Sequence, residues 1–171
     1  ETRSRSLSNR ETDILISLSR PKKGRLKSWK LCDYYVKLYG SNEYLKNNPK
    51  ISDIKDLTNH KFVNYADELI EFPELNYLQE INSNPNVVFS SNSLRSQLLA
   101  VKNGIGIGLL HSFVAYKEKD LKVILPKKIN IKREYWIVVH ENNFHLRRIK
   151  AVTDFVTTIL NDEKKFLSTV K

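Results

Sequence analysis

A single cysteine, Cys32, stands among 171 residues. That excludes an intrachain disulfide and a two-cysteine redox switch, disfavours a cysteine-rich metal site, and makes a reducing compartment the expected setting. Long apolar runs are missing too. None approaches the roughly 20 residues needed to cross a bilayer, and the opening ETRSRSLSNRE has no apolar segment of the signal-peptide kind. The expected location is the cytoplasm. Several catalytic signatures are also absent. No G-x-S-x-G elbow occurs, and Cys32 lies in a strand-like run without a histidine beside it, so nucleophilic catalysis has no support and Cys32 reads as a small buried apolar side chain. HENNFH at 140–145 has its histidines five apart, where the zinc-protease helix needs four; they sit at a strand end and in the loop beyond it. His60 stands alone in a polar stretch and is expected to be exposed. No metal and no cofactor is expected.

What is present is enough apolar material for a core, 40% of the residues, in a chain long enough for one domain or two small lobes. Lys and Arg number 29 against 19 Asp and Glu, a formal charge of +10 that raises the question of a nucleic-acid or anionic partner. The distribution argues for a solvated surface instead. Basic residues fall in small groups, RPKKGRLK at 20–27, PKKINIKR at 126–133 and RRIK at 147–150, rather than in one stripe interleaved with aromatics.

Along the chain, DILISL (13–18) is a nearly unbroken apolar run that predicts a strand buried on both faces. The aromatic and β-branched content from Gly24 to Ser41 predicts a strand pair or one long bent strand. Ser41 or Asn42 can cap a short helix, NEYLKNN, that stops before Pro49, and Ser52 or Asp53 can start another, DIKDLTN. KFVNY (61–65) suits a strand. Pro73 suits the first turn of a helix carrying Leu75, Leu78 and Ile81 at helical spacing. VVF (87–89) follows as a strand, and SSNS (90–93) supplies caps for a helix with Leu94, Leu98 and Val101 on one face. After a short helix around SFVAYKE come strands at LKVIL and EYWIVVH. A closing amphipathic helix has Leu146, Ile149, Val152, Phe155, Val156 and Ile159 on one face. Alternating strands and helices indicate an α/β fold with mainly parallel sheets.

VKNGIGIGLLHSFVAY (101–116) carries three glycines at every second position. A phosphate-binding glycine motif follows a strand and opens a helix, so that free amides meet the phosphate. Here the order is reversed: Gly104 fits the position just past a helix, and the next glycines enter a strand whose backbone can approach a neighbour closely. His111 ends that strand at its carboxyl side, where open α/β sheets place ligands; the alternative is a histidine hydrogen-bonded at a strand edge. SSNS needs no ligand to explain it, yet the same helix start offers amides and a positive dipole end to an anion. Ser17 and Ser19 end the apolar strand ILISLS, where a simple turn is the alternative.

The order of TDILISLS (12–19), GRLKSWKLCDYYVKLYGSNEYLKNNP (24–49), DLTNHKFVNY (56–65), NSLRSQLLAVKNGIGIGLL (92–110), LKVILP (121–126) and YWIVVHE with the final helix is similar to the effector-binding domain of LysR-type transcriptional regulators. The resemblance spans nearly the whole chain. It implies two Rossmann-like lobes of the periplasmic-binding-protein type II kind, joined by crossover strands near 39–41 and 125–128. Lobe I would be 1–40 with 126–163, lobe II 41–125, and 164–171 a C-terminal extension. The winged helix-turn-helix DNA-binding domain, and the first strand-helix-strand of lobe I, would precede this chain, so that DILISL is left as an edge open to pairing.

Carried over residue by residue, the resemblance places Thr2, Ser17 and Ser19 on the lobe I side of an effector cleft and Tyr65, Ser91, Asn92 and His111 on the lobe II side. Many members have Arg at the position of Ser17 and Pro at or beside His111, so the site here is less cationic. The implied protein is a non-enzymatic transcription regulator that binds a small-molecule effector, assembles as a homodimer or homotetramer, and meets promoter DNA through the preceding domain, with no membrane partner. The alternatives are a solute-binding protein or enzyme on the same two-lobed fold, and a basic nucleic-acid-binding module.

Overall fold

The computed structural model describes residues 12–21, 23–66 and 73–162. Thr2 and the extension at 164–171 lie outside them. The described residues divide into two compact units, one holding 35–131 and the other 12–34 with 132–162.

In the first unit, the end of β2 (Leu26–Ser41) is flanked on one side by β5 (Ile107–His111) and on the other by β6 (Leu121–Ile124), both antiparallel to it. Beyond β5 come β3 (Lys61–Asn64) and then β4 (Asn86–Ser90), in parallel. The sheet is therefore mixed, and the expectation of mainly parallel sheets fails because β2 runs against both its neighbours. β2 is one continuous strand. Ser41 ends it by accepting a hydrogen bond from the Tyr44 amide at 3.2 Å, which caps α1 (Asn42–Asn47).

α2 (Leu94–Lys102) begins at Ser93, whose hydroxyl accepts from the Ser96 amide at 3.3 Å, and lays Leu98 and Val101 on Tyr39, Val63 and Leu110 of the sheet. It stops at Gly104, which takes φ +71°; the Gly104 amide donates to the Val101 carbonyl and the Ile105 amide to the Ala100 carbonyl, the paired bonds of a left-handed helix end. Gly106 and Gly108 then let β5 close in. A Cβ on Gly106 would stand 2.5 Å from the Lys61 carbonyl oxygen, and one on Gly108 2.8 Å from Val101 Cγ2. α3 is shorter than SFVAYKE suggests, covering Ser112–Ala115.

Two helices expected in this unit are 3₁₀ turns. Over Ile54–Asn59, Asp53 caps the first amide while the Asp56 carboxylate takes the Ser52 and Asp53 amides at 2.8 Å, which tightens the turn. The segment from Pro73 breaks into Pro73–Leu75 and Leu78–Glu80. Leu75, Tyr77 and Leu78 are all buried. On an unbroken α-helix Tyr77 would point about 200° away from Leu75, so the interruption is what turns all three inward. His60 is also inside, 1% exposed and with Nδ1 3.3 Å from the Tyr44 hydroxyl. A lone histidine in polar sequence looked exposed only because Tyr44, sixteen residues away, was not visible as its partner.

In the second unit β1 (Ile14–Ser17) pairs antiparallel with β7 (Ile131–His140), which neighbours the start of β2. Tyr34 stacks on Tyr135 at 4.4 Å, and the Lys30 ammonium bridges Asp33 and Glu134. Among the described residues β1 has no partner but β7. Ile16 is 51% exposed, so the strand is not buried on both faces: the run of apolar residues meets only one layer of partners. α4 (Arg147–Asp162) buries Ile149 and Thr153. Val152, Phe155 and Ile159 of its expected apolar face are exposed instead. His140 spends its ring on a local turn, Nδ1 accepting from the Asn142 amide at 3.2 Å.

Candidate functional site

Three strands of the first unit, β4, β3 and β5, run parallel and end together at Ser90, Asn64 and His111. Open α/β sheets bind ligands beyond such carboxyl ends, because the chain leaves each strand there in loops free to carry polar groups. The loops are tied to one another. The Asn64 carbonyl accepts from the Ser91 amide at 3.0 Å, and Asn92 Oδ1 accepts from the Ala66 amide at 3.3 Å. Ser91 Oγ accepts from the Ser93 amide at 3.1 Å, and Gln97 reaches back from α2 to donate to the Ser91 carbonyl at 2.6 Å.

Behind these polar groups lies an aromatic cluster. Tyr77 stands edge-on to Tyr65 at 6.3 Å and to His111 at 6.1 Å, and Phe113 packs against His111 at 5.3 Å. The Tyr77 hydroxyl and His111 Nε2 are 3.4 Å apart. Burial pulls the His111 pKa down to about 4, so its ring is neutral at physiological pH and offers one donor and one acceptor rather than a positive charge. The positive end of the α2 dipole, opening at Ser93 beside Asn92, supplies the electrostatic bias instead.

Of the residues expected at a site, the structure brings Tyr65, Ser91, Asn92 and His111 to this one edge. Ser91 and Asn92 are half-buried, and Tyr65 and His111 are buried. Ser17 and Ser19 belong to the second unit, at the end of β1, where the Ser19 amide donates to Ser17 Oγ at 3.3 Å in a local turn. Thr2 is outside the described residues. Tyr77 and Gln97 were missed. Gln97 carries a signal in retrospect, a polar residue between Leu94, Leu98 and Val101 on the buried side of α2; Tyr77 carries none, since its role depends on the broken helix around it.

The family model of the LysR substrate binding domain matches residues 1–160. No curated protein sequence is a significant match. Among solved structures, the regulatory domain of CrgA, a LysR-type transcriptional regulator from Neisseria meningitidis, is similar with a TM-score of 0.76 at 19% identity, over 90% of this chain and 78% of that one. The regulatory domain of an AphB variant from Vibrio vulnificus gives 0.69 at 19% identity, over 87% and 80%. The Synechocystis PCC6803 CcmR regulatory domain, in complex with 2-PG, gives 0.71 at 14% identity, over 90% and 76%.

Proposed function

The chain belongs to the LysR substrate-binding domain family, and on that premise we propose that it senses a small metabolite at the carboxyl edge of β3, β4 and β5 and passes that information to a DNA-binding domain. Its fold is that of LysR regulatory domains, the two-lobed periplasmic-binding-protein type II fold. One observation carries the reading of the site. The ends of β3 and β4 are tied together through Ser91 and Asn92 at the first turn of α2, and β5 ends at the same edge with the neutral His111 against Tyr77, which makes it an edge rich in polar groups.

The same reading makes the domain a binding module rather than a catalyst. Tyr65, Ser91, Asn92 and His111 supply donors, acceptors and aromatic faces, a set suited to holding a ligand. It assigns the regulator to the cytoplasm, 41–125 to lobe II and 1–40 with 126–163 to lobe I. The occupied CcmR neighbour supports a small-molecule occupant for this fold. Effector and DNA are then linked because the effector binds one assembly state more tightly than another.

An operator shift assay tests this. A regulator joining this domain to its DNA-binding domain is expected to bind promoter DNA in an effector-dependent way, and residues 1–171 alone are expected to give no sequence-specific shift. Specific binding by residues 1–171 alone would favour the basic-module reading, and steady turnover of a metabolite abolished by His111→Ala would favour an enzyme.

A further inference from the structure

We propose that Lys37 is an oxyanion-binding residue of this domain, so that the effector carries a carboxylate or phosphate group which pairs with its ammonium. The inference rests on the effector-sensing reading above and names a residue outside the set expected from sequence.

Lys37 sits on β2 and is 2% exposed, the only buried lysine among the described residues. Lysine is seldom taken out of water without a partner, because a desolvated ammonium loses far more hydration than packing of its stem returns. Lys102 follows that rule: half-buried, it pairs with Glu118 at 2.5 Å. Among the described residues Lys37 has no such carboxylate. Burial alone acts on its pKa, lowering it, with no hydrogen bond or opposite charge working the other way.

The position is as informative as the missing partner. Register sets Lys37 opposite Leu110, immediately beside the Val36 and His111 pair. It therefore lies one residue in from the edge where β5 ends. Strand alternation puts its side chain on the face shared with Tyr39, which packs with Leu110 and Ala115, and so on the opposite face from Val36. A ligand seated at that edge on the α2 face can be met by Asn92, by the first turn of α2 and by the flexible Lys37 stem from β2, whereas His111, paired with Val36 at the end of β5, reaches the edge from the other face. His111 is neutral there and Arg95, in the first turn of α2, is exposed to water, so Lys37 is the buried cation that an oxyanion at this edge would pair with.

Thermal unfolding of the 171-residue chain decides the matter, in sodium phosphate and in sodium succinate, each against sodium chloride of equal ionic strength. Either oxyanion is expected to raise the wild-type melting temperature by about 3 °C at tens of millimolar. Response to phosphate alone or to succinate alone tells which oxyanion the site prefers, and either supports the proposal. Lys37→Met is expected to lose the response. Lys37→Arg, which keeps the charge, is expected to retain the response and guards against a folding failure of Lys37→Met. An undiminished response in Lys37→Met, or no response to either anion in the wild type, overturns the proposal. Asn92→Ala separates it from the reading beneath it. A response lost in Lys37→Met but kept in Asn92→Ala upholds Lys37 and removes Asn92 from the effector site; the reverse upholds Asn92 and removes Lys37.

Discussion

The Tyr77 hydroxyl and His111 Nε2 stand 3.4 Å apart inside the first unit, with their rings edge to face. The contact joins a broken helical segment to the end of β5, and it holds there a histidine that stays neutral. Tyr77→Phe keeps the ring and removes the hydroxyl. The expected cost is about 1 kcal/mol of stability, read from urea denaturation, with the loss abolished when His111 is already replaced by phenylalanine.

His111 also makes stability depend on pH. Its folded pKa is about 4 against about 6.5 when unfolded, so between those values the unfolded chain binds the extra proton. The contribution is full above about pH 6.5 and is lost as the pH falls toward 4. Stability at pH 5 is expected to lie about 2 kcal/mol below that at pH 7.5 from this residue. His60 is shifted the same way by burial and adds to the trend. Melting curves of wild type and His111→Gln across this range separate the two: the variant should show a shallower acid slope.

The glycines of the β5 entry give a graded test of packing. Gly104→Ala forces a Cβ into φ +71° but leaves it 3.6 Å from Ser41 Oγ, so only backbone strain is added, about 1 kcal/mol. Gly106→Ala is expected to cost about 3 kcal/mol, because its Cβ would meet the Lys61 carbonyl of β3, a backbone atom that cannot swing aside. Chemical denaturation of the two variants should preserve that order.

Exposed apolar residues on α4 and β1 predict self-association through the second unit. Val152, Phe155 and Ile159 form one stripe of α4, and Ile16 is half in water on β1. An exposed apolar stripe such as that of α4 marks contact sites on proteins. Phe155→Lys is expected to shift the chain toward the monomer in sedimentation velocity with little change in melting temperature, since a 65% exposed ring gives the fold little.

Much of this architecture was legible in the sequence, for local reasons. Ser41, Ser93 and Gly104 announce helix ends because capping and left-handed turns depend on the residue itself and its near neighbours. β2 was readable from its aromatic and β-branched run, although nothing local says that both its neighbours run against it. The site was half legible. His111 and Asn92 follow from strand-end logic. Tyr77, His60 and Lys37 do not, because each is defined by what lies far along the chain: His111 for the first, Tyr44 for the second, and for the third the lack of a carboxylate partner among the described residues.

The central claim is that a metabolite binds where β3, β4 and β5 end. The most direct measurement is a thermal-shift screen of the chain against a metabolite library, with each hit titrated calorimetrically into wild type, Asn92→Ala and His111→Ala. The account predicts a hit whose affinity falls at least about tenfold in Asn92→Ala, the loss of roughly one well-placed hydrogen bond, and falls in His111→Ala as well. A hit that binds all three proteins equally well would contradict it.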